Sequence, residues 1–167
     1  PSPKRGMDRL KEQGQAMTDT LARQGDAAIY HVDGQGMDGM GGLTREQRLS
    51  LVERVHIKLL NEMEPKVLAR LAPERMMAQI RLVLEKVGME GMPPLSARAQ
   101  QRIMQEVFDE VSGYGPIQPL VSDDDLTEIM VNGPNQVFVE RDGKLLLTDV
   151  RFRDDAHVLR IIDRIVT

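Results

Sequence analysis

The hydrophobic pattern changes its period once, near Gly113, and that switch constrains the fold of this 167-residue chain more than any single motif. Between Thr44 and Ser112 apolar residues recur every three or four positions, the spacing that lines one face of a helix. After Gly113 they come in short runs separated by Asn132-Gly133 and Asp142-Gly143, dipeptides that favour the tight turns of β-hairpins. Helices followed by strands predict an α+β protein.

Three helices are expected over residues 44–112. Thr44 and Gln47 have the spacing of a capping box and open the first, whose apolar face is Leu49, Val52, His56, Leu59 and Met63. Pro65 ends it, and a short turn over Val67 to Leu71 precedes the second. Pro73 suits a first helical position, Met76, Ile80, Val83, Leu84 and Val87 form the face, and Gly88 is the stop. Gly91-Met-Pro-Pro-Leu95 breaks the chain. Ser96 then caps the third helix, with Ile103, Met104, Val107, Phe108 and Val111 on its face and Gly113 at its end. Three such stripes bury one another most simply in a three-helix bundle.

Residues 113–167 read as a β-meander and a helix. The strands are Thr127 to Val131, Gln136 to Arg141 and Lys144 to Phe152. Asp154 and Asp155 sit where a helix N-terminus favours negative charge, and Val158, Leu159, Ile162, Ile165 and Val166 make that helix amphipathic. Residues 1–43 read as a flexible tail: Gly34 to Gly42 holds five glycines in nine residues, which gain little from burial. Within the tail Met7 to Arg23 has the makings of a short helix, and Ala28 to Val32 has strand-like composition.

Composition narrows the chemistry. With three Phe, two Tyr, no Trp and eleven Met, the cores are built from aliphatic side chains and Met. The absence of Cys excludes disulfides and thiolate metal sites. A net charge of −4 argues against a nucleic-acid partner, which draws a basic footprint. The acidity is local: residues 113–167 carry six Lys and Arg against ten Asp and Glu, whereas 44–112 carry eleven against ten.

Each candidate motif has a plainer reading. Gly34-Gln-Gly36-Met-Asp-Gly39 spells a dinucleotide fingerprint, but no helix opens on its last glycine and no βαβ unit follows. Gly143-Lys144 is followed by Leu145, and Phe138 stands where a P-loop needs its first glycine, so the pair is a hairpin turn. Asp123, Asp124 and Asp125 lack the spacing of a cation loop and read as a solvated acidic turn. His31, His56 and His157 are scattered, with no paired spacing for zinc. Arg98 and Arg102 fall on a polar helix face. No catalytic residue, metal ligand or cofactor contact is assigned to this chain.

One stretch is more specific. Gly113-Tyr-Gly-Pro-Ile-Gln-Pro-Leu120, Leu126-Thr-Glu-Ile-Met-Val-Asn-Gly-Pro134, Val137-Phe-Val-Glu-Arg-Asp-Gly-Lys144 and Val150-Arg-Phe152 resemble, in order, the CpaF/TadA family. These are the ATPases of tight-adherence (Flp) pili, within the type II/type IV secretion ATPase superfamily. The resemblance implies a helical N-terminal region, the start of a PAS-like domain over 113–167, and a RecA-like ATPase domain beyond it. It also implies a hexamer in the cytoplasm, peripheral at the inner membrane through platform proteins, with ATP and magnesium bound by the full-length parent. Partners would be the chain's own C-terminal ATPase domain, neighbouring subunits and those platform proteins.

Gly113, Gly115, Pro116, Ile117 and Leu120 are then expected to form a defined joint between bundle and PAS-like module. Glycine opens backbone angles there, proline closes them, and the apolar residues give a docking side. Asn132 and Gly133, in the next motif, are counted with it. The function expected is a regulatory and assembly region that helps couple ATP hydrolysis to pilin or protein export. The competing expectation is a stand-alone helical adaptor that binds a protein partner.

Overall fold

A computed structural model describes residues 29–32, 43–92 and 94–167; the expected Met7 to Arg23 helix and the glycine-rich stretch lie outside the described residues. The chain is α+β and divides into two compact units. One, helical, falls within Gln35–Gln118; the other joins Pro119–Thr167 to a strand upstream of the helices.

The helical unit holds α1 (Arg45–Glu62), the single-turn α2 (Pro65–Leu68), α3 (Pro73–Gly88) and α4 (Ala97–Ser112). The capping box forms: the Thr44 hydroxyl accepts from the Gln47 amide at 3.2 Å, and the Gln47 side chain accepts from the Thr44 amide at 2.8 Å. Pro65 and Pro73 open their helices, where the missing N–H costs nothing. Ser96 caps α4 by accepting from the Ala99 amide at 3.2 Å.

α1, α3 and α4 each pack on the other two, and Val55, Leu59, Ile80, Ile103 and Val107 are wholly buried among them. The faces expected for α3 and α4 are the ones buried, except that Phe108 and Val111 are only partly covered. On α1 the face is rotated. Leu51, Val52, Val55 and Leu59 are buried, while Leu49 is 38% exposed and His56 is half-buried. The stripe needed two neighbours to cover it, and the wider Leu51 to Leu59 face meets both. Gly88 ends α3 without a left-handed turn; Gly91, at φ +93°, makes the reversal.

The sheet unit contains β1 (Ile29–Tyr30), a one-turn helix α5 (Gln118–Val121) that begins at its boundary, β2 (Leu126–Val131), β3 (Val137–Arg141), β4 (Lys144–Thr148) and α6 (Asp155–Val166). The expected meander is present as β2–β3–β4, antiparallel throughout. β1 adds a fourth strand, parallel to β4, giving the order β1-β4-β3-β2. Part of the expected tail is thus a strand of the sheet.

Asp142 and Gly143, at φ +52° and +70°, make a two-residue turn with both angles positive, the primed hairpin geometry. The Asn132-Gly133 connection is longer, running to Gln136, whose carbonyl accepts from the Asn132 amide at 2.9 Å. β4 stops at Thr148, short of the expected Phe152. The Thr148 hydroxyl donates to the Val137 carbonyl at 2.8 Å and accepts from the Val150 amide at 3.2 Å, turning the chain out of the ladder.

Asp154 caps α6 by accepting from the His157 amide at 2.7 Å. The face that α6 buries is His157 and Ile161, whereas Leu159, Ile162, Ile165 and Val166 are exposed. The apolar arc of this helix is wider than the face that is covered.

Ile103→Ala should cost about 2–5 kcal/mol in urea unfolding of the helical unit, because it empties a fully packed site. Ile57→Ala, at an exposed position on α1, should stay within about 0.5 kcal/mol of the parent.

Candidate functional site

The expected joint begins where α4 stops. Gly113 is its C-cap, donating to the Asp109 carbonyl at 3.0 Å. What demands glycine there is space, not backbone angle. A Cβ on Gly113 would lie 2.6 Å from Gln118 Oε1 and 3.1 Å from the Asp109 carbonyl oxygen. The Gln118 side chain occupies that space and accepts from the Tyr114 amide at 2.9 Å, closing the turn. Gly115 has φ +55°, a left-handed conformation most residues avoid. Gly115, Pro116 and Ile117 then form a 3-10 turn, with Gly115 and Ile117 buried. This segment is therefore ordered by its own hydrogen bonds.

The remaining candidates belong to the sheet unit. Leu120 lies in α5 and is buried, and its carbonyl accepts from the Asp123 amide at 3.2 Å. Asn132 and Gly133 sit elsewhere, in the β2–β3 connection, where Gly133 has φ +143°. The next residue, Pro134, accepts from the Phe152 amide at 2.7 Å, which ties this connection to the approach to α6. The seven residues thus occupy three places, the turn after α4, helix α5 and the β2–β3 connection.

A buried acid lies next to the first of these places. Asp109, on the last turns of α4, is only 7% exposed. Burial pushes its carboxyl up to about 6, and the neighbouring Glu106 and Glu110 add to the rise. The Gln105 amide, donating at 2.9 Å, opposes it. Glu106 is itself held by Arg48 from α1 and by Arg102 at 3.1 Å.

The acidic turn has structural work that spacing alone did not reveal. Asp123 accepts from the Tyr30 hydroxyl and, at 3.0 Å, from the Asp125 amide. Asp125 accepts from Arg141 at 2.7 Å, and the Arg141 guanidinium lies 5.9 Å from the centre of the Tyr30 ring. The Tyr30 hydrogen bond, followed by the Asp125 amide, holds the Asp123 carboxyl below its usual range; the same bond raises the Tyr30 hydroxyl. This clasp joins residues 93 positions apart, and only a lone Tyr among strand-like residues hinted at it.

His157 is also structural. Its Nδ1 accepts from the Arg153 amide at 3.2 Å, and its ring meets Phe152 edge-on at 5.3 Å. Lys144 follows a hairpin turn between antiparallel strands, a backbone unlike the strand–loop–helix that cradles phosphates. Among the described residues no three His, Asp or Glu side chains converge as metal ligands.

Fold and site together define an α+β protein in which a three-helix unit leads through a tight turn into a four-stranded mixed sheet and a terminal helix. The chain is similar to two proteins of Mycobacterium tuberculosis, "Putative conjugal transfer protein MT3759" from strain CDC 1551 / Oshkosh and "Putative conjugal transfer protein Rv3659c" from strain ATCC 25618 / H37Rv. Each is 33% identical over 67 residues, which is 40% of this chain and 18% of the relative. No protein-family profile matches the chain.

The Asp109 carboxyl, raised on folding, stabilises the folded chain fully below the ordinary carboxylate range, and that contribution is lost as pH rises through about 6. Asp109→Asn should therefore flatten the stability profile between about pH 4 and 7, and raise stability at pH 7.5 by about 1–2 kcal/mol in urea unfolding. Gly113→Ala should displace Gln118, leave the Tyr114 amide without its acceptor and cost about 1–3 kcal/mol, read by the same unfolding and by faster exchange at Tyr114.

Proposed function

We propose that this chain is the N-terminal regulatory and assembly region of a hexameric ATPase of the pilus-assembly or secretion class. The observation that carries the reading is the coincidence of two likenesses. The ordered motifs from Gly113 to Phe152 resemble those of the tight-adherence pilus ATPases, and 67 residues are 33% identical to proteins named for conjugal transfer. The helical unit followed by a small α/β unit is compatible with both, and the sheet with α6 would be the start of a PAS-like domain.

In this reading ATP and magnesium belong to the parent's C-terminal ATPase domain. Among the described residues the Gly143-Lys144 pair is spent on a hairpin and does not fit a triphosphate. The chain's contribution is positional. Gly113 to Leu120, ordered by Gln118 and by the left-handed Gly115, would hand conformational change from the motor to the helical unit. Partners would be the ATPase domain, adjacent subunits and inner-membrane platform proteins. Among the described residues no helix is long and apolar enough to cross a membrane.

The test uses the full-length protein. Gly113 to Leu120 is replaced by an equal length of Gly and Ser, and ATPase rate, hexamer fraction and pilus assembly are measured. Assembly should fail while ATP hydrolysis persists. A replaced protein that assembles and builds pili like its parent would show the segment to be a simple tether. The 167-residue chain alone should release no phosphate from magnesium-ATP, because it offers no cradle and lysine to position the transferring group.

A further inference from the structure

β1 differs from the other strands in what holds it. Among the described residues two pair with β4, Ile29 with Leu147 and Tyr30 with Thr148. None of Ile29, Tyr30, His31 and Val32 is buried, and Ile29 is 50% exposed. The segment is anchored by polar groups instead. Tyr30 donates its hydroxyl to Asp123 and lies under Arg141. The His31 ring meets Asp149 at 3.2 Å, and the Val32 amide donates to the same carboxylate at 3.4 Å. The Asp149 amide returns a hydrogen bond to the Tyr30 carbonyl at 3.3 Å.

β4 does not depend on this neighbour. Its other edge is paired with β3 through four registered residues, and Thr148 is fixed from that side by its bond to the Val137 carbonyl. Exposed polar and ionic contacts are individually weak and screened by salt, whereas β3 is locked by wholly buried Val137, Phe138 and Val139. A segment with few buried apolar contacts opens at low local free energy, independently of the core.

Ile29–Tyr30 precedes the helical unit in sequence yet docks in the sheet unit.

We propose that Ile29–Val32 is a releasable strap, an edge strand that docks on β4 through the Asp123, Arg141 and Asp149 anchors and opens without disturbing β2, β3 and β4. Its opening frees the outer edge of β4. The inference stands on the strand's own anchors and is independent of the ATPase reading.

Hydrogen exchange followed by NMR on the whole chain tests it. In the parent, the Asp149 amide should exchange at least about 100-fold faster than the slowest β3–β4 amides. Tyr30→Phe, which keeps the ring and removes the bond to Asp123, should speed Asp149 by a further factor of about ten and leave the ladder unchanged.

The chain has no cysteine, so Ile29→Cys with Leu147→Cys gives a clean lock at a registered pair. Oxidation should slow Asp149 exchange toward the ladder rate. The strap is refuted if Asp149 exchanges with the ladder in the parent, or if Tyr30→Phe accelerates both together. It is equally refuted if the folded cysteine pair does not oxidise, or if locking leaves Asp149 exchange unchanged.

Discussion

The sheet unit depends on β3 being covered on both faces and paired on both edges. Val137, Phe138 and Val139 are all wholly buried, and successive residues of a strand point to opposite faces. β2 and β4 take its two edges. From there the placements follow in sequence. The Val137 carbonyl fixes Thr148, whose hydroxyl turns the chain out of β4. The Pro134 carbonyl then receives the Phe152 amide, and the Phe152 ring receives His157, which is bonded to the Asp154 cap of α6. Removing the apolar burial of β3 would loosen every later step.

The helical unit has its own core and its own tension. Aliphatic side chains from α1, α3 and α4 fill it, and the Arg48–Glu106 pair links α1 to α4. Asp109 runs against this economy: a carboxyl buried beside two other acids near a helix C-terminus, where the helix dipole also disfavours negative charge. It adjoins the tight turn of Gly113 and Gln118, so the charge state of α4's end and the geometry of the turn share one small space.

Polar groups throughout the described residues are committed to structure. His157, Thr148, Asp123 and Asp125 all have defined hydrogen-bonding roles, and no buried side-chain nitrogen or oxygen lacks a partner.

The sequence by itself determined the α+β class, three helices with their caps, two of the three buried helix faces, the Asp142-Gly143 hairpin and the acidic start of α6. Each follows from local rules: backbone periodicity, cap chemistry and turn angles act over a few residues. Tertiary structure decided the rest. Which arc of α1 is buried depended on two neighbouring helices, and which arc of α6 is buried depended on Phe152 and the covered side. The strand at Ile29–Tyr30 was legible only as strand-like composition, and its pairing exists because β4 had an open edge and Asp123 and Asp149 had groups to offer. Gly113 was legible as a helix stop, but the reason it must be glycine, the Gln118 side chain in the space of a Cβ, arises only when the turn closes.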